Sequence, residues 1–136
     1  MKVYFEELDI LTSRKIELVN ITKQVEEAIR RSNVKDGLCL VYVPHATATV
    51  IANEDEPGLR QDITSWLKQN FPANGGWKHN IVDDNASAHL ASAFISPHLL
   101  FPVRDGNIIR GAWQQIILVE MDGPRRRRVL IEVMGT

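Results

Sequence analysis

The chain has 136 residues, with 16 Lys and Arg against 17 Asp and Glu, a length suited to one domain around one core. A hydrophobic share of 44% and a charged share of 24% exclude a disordered, collagen-like or coiled-coil chain. The formal charge of -1 removes the broad basic footprint that binding to nucleic acid or an anionic membrane requires.

The N-terminal segment turns acidic at Glu6-Glu7, too early for a signal peptide, and no apolar run reaches the ~18 residues of a membrane span. Cys39 is the only cysteine, so no intrachain disulfide or cysteine-based zinc cluster can form, and a cytoplasmic location is expected. Val3 to Leu11 and Arg14 to Val19 carry β-favouring residues on either side of the polar Thr12-Ser13, and read as two strands. From Asn20 the period changes. Ile21, Val25, Ala28 and Ile29 share one helical face, with Asn20 or Thr22 placed to cap it. Leu38 to Val43 is a short apolar run and predicts a buried strand, and Thr47 to Ala52 predicts another.

Pro57 suits the first turn of a second helix whose apolar face is Leu59, Ile63, Trp66 and Leu67. On that reading Trp66 is a core residue, and its truncation should cost ~3–5 kcal/mol. Phe71 to Gly76 reads as an exposed loop, and Asn85 to Phe94 as a short helix of small residues stopped before Pro97. Beyond it, strands at Leu99–Val103, Ile108 onward, Gln115–Met121 and Val129–Met134 alternate with turns and predict an antiparallel meander. The fold class expected is α+β: mainly antiparallel sheet, about three helices, one domain over residues 1–136.

Three of the four histidines, His45, His79 and His89, stand among small, acidic or amide residues, a setting that suits a divalent metal; solvated or core histidines are the alternative. His98, beside Pro97 and Leu99-Leu100, reads as structural. Glu54 and Asp84 lie in acidic clusters at the approach to helices, where capping alone would explain a carboxylate. Glu54 also follows a strand at a turn, where it can act as a general base or orient a metal-bound histidine. Arg125-Arg126-Arg127-Arg128 has two readings: a charge-guarded edge strand, or a phosphate site. Gly111 interrupts a strand pattern, and Trp113 with Gln114 offers an aromatic wall and an amide able to read a heterocycle, unless Trp113 is core.

Taken in order, His45-Ala46-Thr47-Ala48, Asn53-Glu54-Asp55-Glu56-Pro57, Lys78-His79-Asn80, Asp84-Asn85-Ala86-Ser87-Ala88-His89, Gly111-Ala112-Trp113-Gln114 and Glu120-Met121-Asp122-Gly123-Pro124-Arg125 resemble the YjbQ-like family, also called secondary thiamine-phosphate synthase enzymes. The match runs nearly end to end. It implies a homotrimer with a histidine-lined site for a divalent metal, zinc first, with magnesium the alternative for pyrophosphate chemistry. Carried over by position, the family's histidines fall on His45, His79 and His89, its acidic residue on Glu54, and its Asp-Asn pair on Asp84 and Asn85. The chain departs at Ala112, where the family usually has threonine, and so lacks one hydroxyl for substrate.

The activity implied is joining of a pyrimidine pyrophosphate to a thiazole phosphate with loss of pyrophosphate. Dedicated enzymes for that reaction are similar to TIM barrels, for which this chain is too short. The expected roles are Glu54 and Asp84 as catalytic carboxylates, and Asn85, Trp113, Gln114, Arg125 and Arg127 as substrate contacts, the arginines neutralising the leaving group. Three functions compete: a metal-dependent enzyme for a phosphorylated or heterocyclic small molecule, a hydrolase using metal-bound water with Glu54 as base, and a non-catalytic ligand-binding trimer.

Overall fold

In the computed structural model, which describes all of Met1–Thr136, β1 (Lys2–Leu11) alternates strictly: Tyr4, Leu8 and Ile10 pack inward while Val3, Phe5 and Leu11 face out. After β2 (Glu17–Asn20), Asn20 Oδ1 accepts the Thr22 N–H at 3.0 Å, but the N-cap of α1 (Thr22–Ser32) is Ile21, with no side-chain capping bond, rather than Asn20 or Thr22. The helix buries Val25, Ala28 and Ile29 and ends at Asn33, in the left-handed conformation, which asparagine tolerates.

Next come β3 (Gly37–Tyr42), β4 (Ala48–Asn53), α2 (Pro57–Asn70), a 3-10 turn (Lys78–Ile81) and α3 (Ala86–Ile95). They are followed by β5 (His98–Arg104), β6 (Asn107–Ile108), β7 (Gln115–Glu120) and β8 (Arg126–Gly135). The strands form two antiparallel sheets, one in the order β1-β8-β3-β5-β6 and one in the order β2-β7-β4. This is an α+β fold. Between the inner sheet faces and α1 lies the main core, with Val41, Val50, Leu118 and Ile131 among its members. A smaller cluster of Leu67, Ala88, Ala91, Val119 and Met121 joins α2 and α3 to the far face of the second sheet.

The C-terminal strands do not form the expected meander. β5 and β6 make a hairpin, but β7 crosses into the second sheet and β8 returns to lie between β1 and β3. The reason is in β7 itself, where Ile116, Ile117, Leu118, Val119 and Glu120 are all buried. A strand apolar on both faces needs cover on both, and between β2 and β4 it has the main core on one side and the helices on the other.

Trp66 also departs from expectation. It is 49% exposed, touching Phe71 edge-to-face at 5.9 Å between centroids, and only Leu67 of α2 is buried. The helix lies at the periphery, and its apolar stripe is one residue wide. The full core penalty for truncating Trp66 therefore does not apply. Glu56 caps this helix through Gly58 N–H at 2.9 Å and Leu59 N–H at 2.6 Å, with Pro57 at the first position. His98, expected to be structural, is exposed at the start of β5. No helix is long and apolar enough to cross a membrane.

Candidate functional site

The 3-10 turn and α3 are tied together locally: Asn80 Oδ1 accepts the Ala86 N–H at 3.2 Å, and His79 carbonyl accepts the Asp83 N–H at 3.0 Å. That clasp sets His79 on the turn against His89 on the first coil of α3, with ring centroids 4.7 Å apart and planes 74° apart. Both line a cavity of about 370 Å³ with Trp77 and Leu90.

Behind them is buried Asn85. Its Nδ2 donates to Asp122 Oδ2 at 2.8 Å, and a carboxylate can only accept, so Asn85 must turn its Oδ1 toward His79. That oxygen lies 3.1 Å from His79 Nε2. In the neutral ring Nε2 therefore carries the proton, and Nδ1 keeps a free lone pair. The Asp122–Asn85–His79 chain has the form of the partner sets that fix metal-ligating imidazoles.

Asp122 lies in the loop between β7 and β8, and its side chain is only 7% exposed. Burial alone would raise its pKa, but hydrogen bonds from Lys15 (2.6 Å), Asn85 (2.8 Å) and Arg125 (3.0 Å) outweigh it and hold the carboxyl at about 2. The folded value lies below the ordinary 3.8, so the stabilisation is complete above about pH 4 and is lost as pH falls through 2. That lowering is worth about 2 kcal/mol. Urea unfolding should show the wild type losing that much more stability than Asp122→Asn between pH 4 and pH 2, and parallel acid limbs would refute the assignment.

His45 is held differently. The β3–β8 ladder ends at the Tyr42–Leu130 pair, and beyond it the His45 ring supplies β8 with an acceptor: Nε2 accepts the Arg128 N–H at 2.9 Å. Burial, with help from the nearby Arg127 and Arg128 charges, lowers its pKa. The neutral ring then carries its proton on Nδ1, and neither nitrogen offers a lone pair to a metal. Within the chain no three His, Cys, Asp or Glu side chains form a metal-holding group. Within one chain His79 is thus paired with His89, while His45 Nε2 is engaged by Arg128.

The edge-strand reading of the arginine run fails. β8 is an internal strand. Arg126 and Arg128 pair on the surface with Asp9 and Glu7, while Arg127 is buried against Glu120. Arg127 is therefore structural in this fold, and only Arg125 of the two expected substrate contacts stands near the histidines' supporting network, through Asp122. Asn85, also expected to touch substrate, is buried, with its amide engaged by Asp122 and His79.

Glu54 is exposed and lines a separate cavity of about 280 Å³ with Asn20, Asp55, Ala112 and Trp113. Trp113 is 74% exposed, so it is not core. Gln114 Oε1 accepts the Gly111 N–H at 2.6 Å and closes its own loop. Asp84 is exposed beside the 3-10 turn. Lys15 carries no local signal in the sequence, and Asp122 reads there as a turn residue whose one distinguishing mark is its place in the Glu120–Arg125 motif.

The model of the family described as "UPF0047 protein YjbQ-like" matches residues 6–136. The UPF0047 protein of Archaeoglobus fulgidus is 39% identical over 128 residues, 94% of this chain and 99% of that one. The UPF0047 protein YugU of Bacillus subtilis is 32% identical over 132 residues, 94% and 97% of the two chains. Among solved structures, a YbjQ-like protein of unknown function from Sulfolobus solfataricus superposes with a TM-score of 0.98 at 47% identity, covering 99% of both chains. The fold and the ordered motifs thus have one source, and the chain belongs to the UPF0047 YjbQ-like family.

Proposed function

We propose that the chain is a metal-dependent enzyme acting on a phosphorylated or heterocyclic small molecule, with His79 and His89 as ligands of the metal. The observation that carries this reading is the Asp122–Asn85–His79 chain, which fixes one imidazole tautomer on a ring whose centroid lies 4.7 Å from that of a second imidazole. Two nitrogens are part of a tetrahedral set, and positions left to water or substrate are what a catalytic centre needs. A divalent ion bound there would supply Lewis acidity toward a phosphoryl or carbonyl oxygen. Lys15 and Arg125 are each about half exposed while held on Asp122, so their outer faces can meet an anion. Pyrophosphate release, as in thiamine-phosphate synthesis, is one reaction such cations would assist.

Zinc titration by calorimetry tests the reading. His79→Ala and His89→Ala should each abolish tight binding, and Asn85→Ala should weaken it about 10–100-fold. A screen of phosphorylated metabolites with and without chelator should then find turnover that the same variants lose. Zinc affinity indifferent to all three substitutions would end the proposal.

We also infer a homotrimer. The outer face of the first sheet carries Val3, Phe5, Leu38, Tyr42, Leu100 and Met134, all exposed, with Glu132 across from Phe5 and Leu40. A contiguous apolar face of this kind on a soluble domain marks an interface. Light scattering should give three times the 15.4 kDa chain mass; a mass of one chain at micromolar concentration would overturn the inference.

A further inference from the structure

A third cavity lies on the other side of α3 from the histidines, where helix periodicity places Ser87, Ala88 and Ala91 opposite the wall that carries His89 and Leu90. It measures about 330 Å³, within the range of small-ligand sites. Its floor is apolar: Leu67 and Phe71 of the α2 end, Ala91 of α3, and Met121 after β7. The small side chains of α3 create it, since alanine at 88 and 91 leaves room beneath α2 that a larger residue would fill.

The rim is of opposite character. Lys15, Lys68, Asn74 and Ser87 surround the opening, and no carboxylate lines it. Lys68 makes no ion pair, and neither the Asn74 amide nor the Ser87 hydroxyl has a hydrogen-bond partner within the chain. Lys15 is oriented by its 2.6 Å bond to Asp122, which Arg125 also neutralises, so the carboxylate behind the rim does not cancel the positive charge in front of it. Two ammonium groups and two unpartnered polar groups over an apolar floor match a molecule with an apolar body and one anionic end.

We propose that this cavity binds a small amphipathic anion, an alkyl carboxylate or phosphate whose chain lies on Leu67, Phe71, Ala91 and Met121 and whose charged end meets Lys68 and Lys15. The site shares Lys15 with the proposed metal centre's anion contacts, but it needs neither His79 nor His89, and binding there requires no turnover.

Calorimetric titration of the full chain with sodium octanoate tests it, with octanamide as the uncharged counterpart. Octanoate should bind once per chain with a Kd of about 0.1–1 mM, as expected for a ligand of this size, and octanamide about fivefold more weakly. Lys68→Gln should weaken octanoate about threefold without affecting octanamide. Ala73→Trp, at an exposed rim position, should block both ligands. Circular dichroism confirms that each surface variant is folded. Equal affinity for the two ligands overturns the anionic specificity, and a lack of saturation by about 10 mM, or binding unaltered in Ala73→Trp, overturns the site.

Discussion

Replacing Glu120 with alanine should destabilise the fold by about 3–5 kcal/mol, because it strands a buried guanidinium without its partner. Glu120 is fully buried and Arg127 nearly so. The carboxylate accepts Arg127 Nε at 2.9 Å, Thr12 Oγ1 at 2.6 Å, and the N–H groups of Met121 and Asp122 at 3.1 and 3.2 Å. Arg127 in turn reaches Thr47 Oγ1 at 2.8 Å. One pair therefore joins β7, β8, the turn after β1 and the entry to β4. Since Glu120 also holds the Asp122 N–H, the variant should disturb the Asp122–Asn85–His79 chain. The double variant Glu120→Leu with Arg127→Met should recover most of the stability, as apolar replacements of buried pairs often do. Urea unfolding measures both, and a loss below about 1 kcal/mol for Glu120→Ala, the range of an exposed pair, would contradict the account.

Gly37→Ala is expected to rank next, at about 3 kcal/mol. Gly37 faces Gly135 across the β3–β8 ladder. A Cβ built on Gly37 would lie 1.9 Å from the Met134 carbonyl oxygen, and one on Gly135 would lie 2.0 Å from the Asp36 carbonyl oxygen. These neighbours are backbone, so no rotamer change can relieve the clash, and the strands must separate where β8 completes its pairing. The crossing glycines mark a close approach of main chains. A midpoint in urea unchanged from wild type would show that the ladder yields without cost.

The residue order made some features readable and hid others for physical reasons. The face of α1 followed from its period because Val25, Ala28 and Ile29 meet a core on one side only. The same rule misplaced Trp66, since α2 has apolar residues at core spacing but little to pack them against. Local pattern could not show that β7 leaves its hairpin neighbours, because sheet membership depends on which surfaces remain uncovered after the whole chain folds. At the site, His79 and His89 were identifiable from polar, small-residue surroundings, and the structure brings them together. The engagement of His45 with Arg128 was not legible, as it depends on the register of β8 beside β3. The importance of Asp122 lay outside local reading too: Lys15 and Asn85 reach it from 107 and 37 residues away.

The central claim, that His79 and His89 form the protein half of a metal centre, is tested most directly by X-ray absorption of the zinc-loaded protein. The account predicts two imidazole nitrogens at about 2.0–2.1 Å, reduced to one in either His79→Ala or His89→Ala. Imidazole scattering absent from the wild type, or unchanged in both variants, would contradict it.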